Sequence, residues 1–320
     1  MTLGSEEVLA RNPARRQERS TGLAIAGVDC PACGQPVEGA AREVPDHEYA
    51  LDYVARYAHC ASCHSAFQAP MPLGEQLSAF YPAAYHSVGR RGFLARLRNQ
   101  LRLRKLAPLL DGEGALLDYG CGDGSFLVHA AQALPDRHFY GFEIDSQPSL
   151  HSLADGRVTL IRGSYEYLLQ TLPECRLITM NHVIEHLPDP LSTLLGLREK
   201  LLPGGRLEGQ TPAAASLEHR VFGSRWSGYH APRHTVVFSR NGLARLLERA
   251  GLTEIAIRGA FNPAGIAVSL ATLRQKQSAP GSIVRRGPSW LFWLGLATSL
   301  APIDLLSGAP GIIDFRAKRA

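Results

Sequence analysis

The chain has 320 residues, 45% of them hydrophobic and 20% charged, the make-up of an ordinary soluble globular protein able to bury one large domain and a smaller one. A net charge of +5 and a pI of about 9.0 make it mildly basic. The first residues are polar and charged with no apolar core, so no secretory signal is expected and the cytoplasm is the expected compartment.

Residues 1–27 read as a polar lead carrying Arg11, Arg15, Arg16 and Arg19. Residues 28–68 hold two C-x-x-C pairs, Cys30 with Cys33 and Cys60 with Cys63. Each pair brings two thiolates to one ion from a tight turn, and two pairs complete a tetrahedral Zn²⁺ site. Gly34 relieves the first knuckle turn, and EYALDYVARYAHC fits a strand leading into the second pair. Disulfides and a redox C-x-x-C are the alternatives, but no secretory signal supports oxidation and no βαβ pattern flanks either pair. His64 is a substitute ligand, although four cysteines suffice. A module this small packs little core, so zinc binding is expected to supply its folding energy.

Residues 69–108 read as a helical connector. It contains Tyr81, Tyr85 and the basic run Arg90, Arg91, Arg96, Arg98, Arg102, Arg104 and Lys105. Such a run is usually a solvated face; contact with a phosphate of RNA, nucleotide sugar or lipid headgroup is the other reading.

From residue 109 onward strands alternate with helices, which predicts a doubly wound, mainly parallel α/β sheet. The expected strands are 115–119, 138–143, 158–161, 177–181, 206–210, 254–257 and 311–316. Asp189 and Pro190 open a helix that Pro203-Gly204-Gly205 stops, and Ser239 caps another that Gly251 ends. The stretch LLDYGCGDGSFL, Leu116 to Leu127, carries the most chemistry. An apolar run ends in Asp118, then Gly120, Gly122 and Gly124 alternate before an apolar helix. Glycines let backbone approach a ligand, and the helix start offers unpaired N–H groups. Glu143 follows at the end of the next strand, where this fold holds ribose hydroxyls. An insert of about 261–310 contains the aromatic stretch Trp290 to Leu306. Pro302 and Asp304 interrupt it, and it falls short of the roughly 20 residues of a spanning helix. A buried helix capping the substrate site is expected there, with a peripheral membrane contact through 289–307 as the alternative.

The glycine turn and Glu143 resemble motif I and the post-I acid of class I S-adenosylmethionine-dependent methyltransferases. NHVIEHLPDP (181–190), LLPGGRLEGQTP (201–212) and HAPRHTVVFSRNGLARLLERAGL (230–252) match later segments of a bacterial subgroup that often carries an N-terminal zinc ribbon. The resemblance implies a Rossmann-like seven-stranded sheet with an antiparallel last strand, and a connector whose aromatics help cover the cofactor. It implies S-adenosylmethionine contacts from Asp118, Gly120, Cys121, Gly122, Gly124, Glu143, Ser164 beside Gly163, and Asn181, with Asp145 a weaker rival to Glu143. Four histidines, His182, His186, His230 and His234, fall in segments that border the methyl-transfer site of the family, and His182 and His234 are the catalytic candidates. Arg233 either pairs with an anionic substrate group or braces its loop. Some relatives bind Mg²⁺ through E-x-x-E-H; here His182 replaces the first acid, which disfavours an oxygen-loving ion. The implied activity is methyl transfer, most plausibly to oxygen, of a small-molecule or glycan- or lipid-linked acceptor. RNA methylation is the second reading, although the zinc module holds few basic residues beyond Arg42 and Arg56. A catalytically silent zinc-bearing binding protein is the third.

Overall fold

The computed structural model describes residues 24–49, 51–81, 92–273 and 289–320. Most of the polar lead, Tyr85, Arg90 and Arg91 lie outside them. In chain order the strands begin with β1 (Ala24–Asp29), β2 (Pro36–Ala40), β3 (Arg42–Pro45), β4 (Val54–His59) and β5 (Ala66–Gln68). Helices α1 (Gly74–Ser78) and α2 (Phe93–Leu106) precede β6 (Ala115–Tyr119) and α3 (Ser125–Ala133). Next come β7 (Phe139–Ile144), β8 (Ser149–Leu153), β9 (Val158–Gly163), α4 (Tyr165–Thr171) and β10 (Cys175–Asn181). The chain continues through α5 (Pro190–Lys200), β11 (Leu201–Pro212), α6 (Leu217–Phe222), β12 (Val236–Val237), α7 (Arg240–Arg249) and β13 (Leu252–Gly259). It closes with α8 (Pro263–Leu273), α9 (Ser289–Leu306) and β14 (Ile312–Arg319).

These elements group into two compact units built from interleaved segments. One comprises 1–85, 212–242 and 259–312; the other comprises 86–211, 243–258 and 313–320.

The second unit is a Rossmann-like sheet in the order β13-β14-β11-β10-β6-β7-β9-β8. It has eight strands, not the expected seven. The extra strand is β8, which pairs antiparallel with β9 from Ser149↔Arg162 to Leu153↔Val158. Its turn contains Asp155-Gly156, with positive φ at Ala154, Asp155 and Gly156, the type of dipeptide that closes tight hairpins. The polar, five-residue edge strand has too weak an alternation to be read from periodicity. The other strands match their expected positions. Strand β11 starts earlier, at Leu201, because the Pro203-Gly204-Gly205 segment is taken up as an irregularity between Cys175↔Leu201 and Leu177↔Arg206. Leu103, Leu106 and Leu110 pack with Leu116, Phe126, Leu127 and Phe139 on one side of the sheet.

The first unit joins a four-stranded sheet, β12-β5-β4-β3, to a separate β1–β2 hairpin. Its core gathers Val44, Ala55, Tyr57 and Ala66 with Trp226, Tyr229, Ala231 and Val237. The late segment is thus stitched to the N-terminal strands. The Tyr57 hydroxyl donates to the His234 carbonyl at 2.6 Å, and Gln68 Nε2 donates to the Pro232 and His234 carbonyls at 2.7 and 2.9 Å. Helices α8 and α9 pack through Ile266, Ala267, Ala297 and Ala301. The expectation of a buried α9 fails: only Ala297, Ala301 and Asp304 of its 18 residues are buried. Its apolar composition all round reads as a core helix, but beside the buried alanines Trp290, Trp293, Leu294 and Leu300 are only partly covered by the cluster, and Leu291, Phe292, Ile303 and Leu306 are exposed.

Candidate functional site

In the sheet unit, β6 ends at Tyr119 and the chain turns through Gly120–Gly124 into α3. The Gly120 and Cys121 amides donate to the Phe142 carbonyl at 2.8 and 3.0 Å, which ties the turn to β7. Gly120 has φ +77, and a Cβ there would lie 2.4 Å from Val183 Cγ2. Gly122 differs: at φ +59 its Cβ position meets nothing within 4 Å, so open space lies at the middle of the turn. Beside that space the Gly122 amide donates to Glu143 Oε2 at 2.8 Å. Asp145 instead turns to its own loop, accepting from the Gln147 amide and facing Arg162 at 3.8 Å. Of the two acids, Glu143 is the one at the glycine turn. The Ser164 hydroxyl caps α4 by accepting from the Tyr167 amide at 3.2 Å, directly after β9. The Cys121 thiol flanks the turn, and burial followed by the charges of Asp118 and Glu143 pushes its pKa up.

Asp118, for which the resemblance implies a cofactor contact, is buried behind the turn. It accepts a bidentate pair from Arg102, at 2.6 and 3.1 Å, and a 2.7 Å bond from the Thr179 hydroxyl. The same guanidinium lies 3.9 Å over the Phe126 ring, and with the Asn181 amide oriented to accept, reaches its oxygen at 2.7 Å. Arg102 therefore links β6, β10 and α3. It was expected in a solvated basic face, together with Lys105, which bridges Glu208 at 2.8 Å and Asp314 at 2.9 Å. The available signal was helical spacing: Arg102 is three residues from buried Asn99 and four from buried Leu106 on α2. Arg96, Arg98 and Arg104 are exposed, as a solvated face requires.

His182 follows β10 in a left-handed backbone conformation, φ 55. Its Nε2 is 3.0 Å from Gln210 Oε1, and its Nδ1 is 3.4 Å from Glu185 Oε1. The Gln210 amide is oriented by its Nε2, which donates to Asp314 at 2.7 Å. Both ring nitrogens thus face side-chain oxygens. Glu185 is fully buried and accepts from the Thr211 hydroxyl at 2.9 Å. Burial pushes its carboxyl up, but the hydrogen bond to His182 and the charges of His182 and His186 outweigh this and hold the pKa below its usual value. Gln210 and Thr211 escaped the sequence reading, since nothing in a strand sequence marks polar side chains that serve a neighbouring loop. His186 lies in the 3₁₀ turn after His182.

In the other unit, the sulfurs of Cys30, Cys33, Cys60 and Cys63 all lie within 4.8 Å of one another. The cross-knuckle distances, Cys30 to Cys63 and Cys33 to Cys60, are both 3.6 Å. A tetrahedral Zn²⁺ with bonds of about 2.3 Å holds its sulfurs about 3.8 Å apart, so the quartet fits that ion. Disulfides need sulfurs about 2 Å apart, and all six cysteines are free. The two knuckles are built alike: Gly34 and His64 occupy equivalent positive-φ positions, and their amides donate to the Cys30 and Cys60 carbonyls at 2.8 Å. His64 is exposed and outside the sulfur group.

His230 donates from Nδ1 to Glu48 at 2.7 Å and accepts at Nε2 from Arg233. Arg233 is fully buried, holds Asp46 Oδ2 at 2.9 and 3.0 Å, and lies 4.2 Å over Tyr49, so it braces its loop. His234 is buried and donates from Nδ1 to the Gly228 carbonyl at 2.8 Å, which makes Nε2 its acceptor nitrogen.

A family model described as a methyltransferase domain matches residues 90–257. The ubiquinone biosynthesis O-methyltransferase of Cereibacter sphaeroides is 30% identical over 184 residues, covering 53% of this chain and 73% of that protein. The protein of the same name from Aromatoleum aromaticum is 27% identical over 161 residues, covering 46% and 68%. Among solved structures, a SAM-dependent methyltransferase from Archaeoglobus fulgidus aligns at 19% identity over 70% of this chain and 94% of that chain, with a TM-score of 0.44.

Proposed function

The chain belongs to the methyltransferase-domain family and is an S-adenosylmethionine-dependent methyltransferase, and on that premise we propose that it methylates an oxygen of a small-molecule acceptor. The observation that carries the choice of oxygen is the histidine after β10, braced by a buried carboxylate. Two relatives with the name ubiquinone biosynthesis O-methyltransferase support the same acceptor class. Within the basic run, the engagement of Arg102 and Lys105 by carboxylates of their own unit weighs against a nucleic-acid track.

The proposed cofactor contacts are Gly120, Cys121, Gly122 and Gly124 on the methionine portion, Glu143 on the ribose hydroxyls, Ser164 near the adenine, and Asn181 near the transferred group. The open space at Gly122 beside the Glu143 carboxylate fits this assignment. Bound there, S-adenosylmethionine supplies a methyl carbon activated by a positive sulfur. The chain supplies position, which accounts for much of the rate in such displacements. Asp118 acts through Arg102, holding the floor of the turn.

For a hydroxyl acceptor, His182 is the proposed base. Its neutral form keeps the Nδ1 proton toward Glu185 and presents Nε2. An acceptor hydroxyl would displace the Gln210 carbonyl from Nε2 and pass its proton to that nitrogen. His234 is kept as the second candidate for catalytic or substrate contact. Cys30, Cys33, Cys60 and Cys63 are proposed to hold one structural zinc.

Calorimetric titration with S-adenosylmethionine, beside a Glu143→Ala variant, tests the cofactor site; micromolar binding lost in the variant is expected. A screen of phenolic and alcoholic acceptors then follows S-adenosylhomocysteine formation. His182→Gln is expected to lower kcat by about two to four orders of magnitude and leave cofactor affinity unchanged. Normal cofactor affinity with undiminished turnover in that variant refutes the base assignment. His234→Ala is expected to raise KM for the acceptor and leave cofactor affinity unchanged.

A further inference from the structure

The glycine turn uses its amides on its own surroundings. Gly120 and Cys121 donate to the Phe142 carbonyl, Gly122 to Glu143 Oε2, Gly124 to the Cys121 carbonyl at 3.1 Å and Ser125 to Asp123 Oδ1 at 3.0 Å. The amino-acid end of a ligand placed at such a turn brings a carboxylate, which can only accept hydrogen bonds. With those amides engaged, a carboxylate there depends on donors from side chains. Strand register shows which side chain is at hand. Thr179 on β10 pairs with Asp118 on β6, so Asn181, two residues further along and on the same face, comes level with Gly120, where the turn begins. This is the carboxyl end of two parallel strands, the end at which ligands bind in such sheets.

Arg102 decides how the Asn181 amide points. Its Nη2 donates to Asp118 Oδ1 at 2.6 Å, to Thr179 Oγ1 at 3.2 Å and to Asn181 Oδ1 at 2.7 Å, while Nη1 holds Asp118 Oδ2 at 3.1 Å. The Phe126 ring, 3.9 Å from the guanidinium carbon, supports its plane. A guanidinium is a donor only, so the Asn181 atom that faces it is the oxygen, and Nδ2 is turned the other way. That nitrogen engages no acceptor among the described residues. A hydrogen bond received from a cation also polarises the amide and strengthens its N–H groups as donors. The Arg102–Asp118 pair is neutral as a whole, so the buried acid does not repel an anion placed beyond Asn181.

With the glycine turn taken as the cofactor site, we infer that Arg102 is a positioning residue for it: Arg102 holds the Asn181 amide with its nitrogen outward, as the donor that receives the carboxylate of S-adenosylmethionine. The role falls to a residue of α2, ahead of the glycine motif in the chain, and it acts through Asn181 and not on the cofactor itself. Asp118 and Thr179 fix the guanidinium from behind.

The test is calorimetric titration of the full chain with three nucleosides. S-adenosylhomocysteine carries the whole amino-acid end, its decarboxylated analogue lacks only the carboxylate, and methylthioadenosine lacks the amino-acid end altogether. Asn181→Asp keeps an oxygen for Arg102 and puts a second oxygen where the donor was. It is expected to lower affinity for S-adenosylhomocysteine by about tenfold or more, to leave methylthioadenosine within about twofold of wild type, and to bind the decarboxylated analogue no worse than wild type does. Arg102→Lys keeps a cation beside Asp118 but replaces the fork with a single nitrogen, which frees the amide to turn. It is expected to weaken S-adenosylhomocysteine by about threefold or more and to spare methylthioadenosine. A variant that weakens both of these ligands equally overturns the inference, since the loss then reports the sheet and not the carboxylate. So does an Asn181→Asp protein that binds S-adenosylhomocysteine like wild type, or one that loses the decarboxylated analogue to the same extent. Wild type that binds none of the three refutes the cofactor site itself, and the role of Arg102 with it.

Discussion

Replacing Arg102 with methionine keeps the aliphatic body of the side chain and removes its charge. In the native sheet unit the guanidinium neutralises Asp118, whose side chain is 5% exposed, while Arg102 itself is 24% exposed. Breaking a fully buried pair from one side costs about 3–5 kcal/mol, and a fully exposed pair contributes about 0–1 kcal/mol. The bidentate geometry and the buried acid place this pair between the limits, and the stacking on Phe126 adds a fraction of a kcal/mol. The expected loss is about 2–3 kcal/mol, all of it in the sheet unit. The three tryptophans, Trp226, Trp290 and Trp293, belong to the other unit, so fluorescence is the wrong probe. Urea unfolding followed by far-ultraviolet circular dichroism reads the sheet directly. Asp118→Asn in the Arg102→Met background removes the stranded charge and is expected to recover about 1–2 kcal/mol, with the Thr179 bond retained. A single variant that loses less than about 0.5 kcal/mol refutes the argument, as does a double variant no more stable than the single.

Gly120→Ala is expected to destabilise the sheet unit by more than about 2 kcal/mol, because the new methyl meets both an unfavourable φ and Val183 at 2.4 Å; thermal melts measure it. Cys60→Ser is expected to lower zinc content from about one ion per chain and to unfold the four-stranded sheet around Trp226, seen as a red-shifted emission; native emission at zero zinc refutes the structural role. The unit that carries Trp226 also has an internal pH optimum. Burial, then the charge of Asp304, pushes Glu218 up to about 8, so the folded state holds a proton that the unfolded state releases near 4.5, and stability falls as pH rises between those values. Burial, then the positive neighbours His59, Arg42 and Arg220, pushes His219 down to about 4, so stability falls as pH drops from 6.5 toward 4. Denaturation monitored by tryptophan emission is expected to be flat above pH 6.5 in Glu218→Gln, whereas His219→Gln leaves the Glu218 effect unopposed and is expected to lose stability steadily from pH 4.5 to about 8.

The parts of this protein legible in sequence are those where backbone chemistry narrows the residue choice. The alternating glycines, the acid after the next strand and the paired cysteines belong to turns that few other residues can make, and the structure brings each group together. The sequence reading lost contact where meaning depended on which side of an element faces inward. Arg102 reads like its exposed neighbours Arg98 and Arg104 until the sheet shows which of them meets Asp118. Helix α9 reads as core because its composition is apolar, although its buried stripe uses alanine. Strand β8 was missed although its Asp155-Gly156 turn was in plain view, because the strand before it lacks an apolar face. The assembly of each unit from separated stretches has no local signature at all.

Strand order along the chain also sets an order of events during synthesis. In the sheet, β14 lies between β13 and β11, and among the described residues β13 pairs with β14 alone. The ribosome makes β13 well before β14, with α8 and α9 emerging between them. Throughout that interval β11 presents an open edge and β13 waits without a neighbour, two unpaired borders of the type that recruit stray strands. The newborn chain is therefore at its most vulnerable just before Ile313 and Phe315 reach their places in the interior. A chaperone that shields β11 for that interval is expected to raise the yield of folded protein.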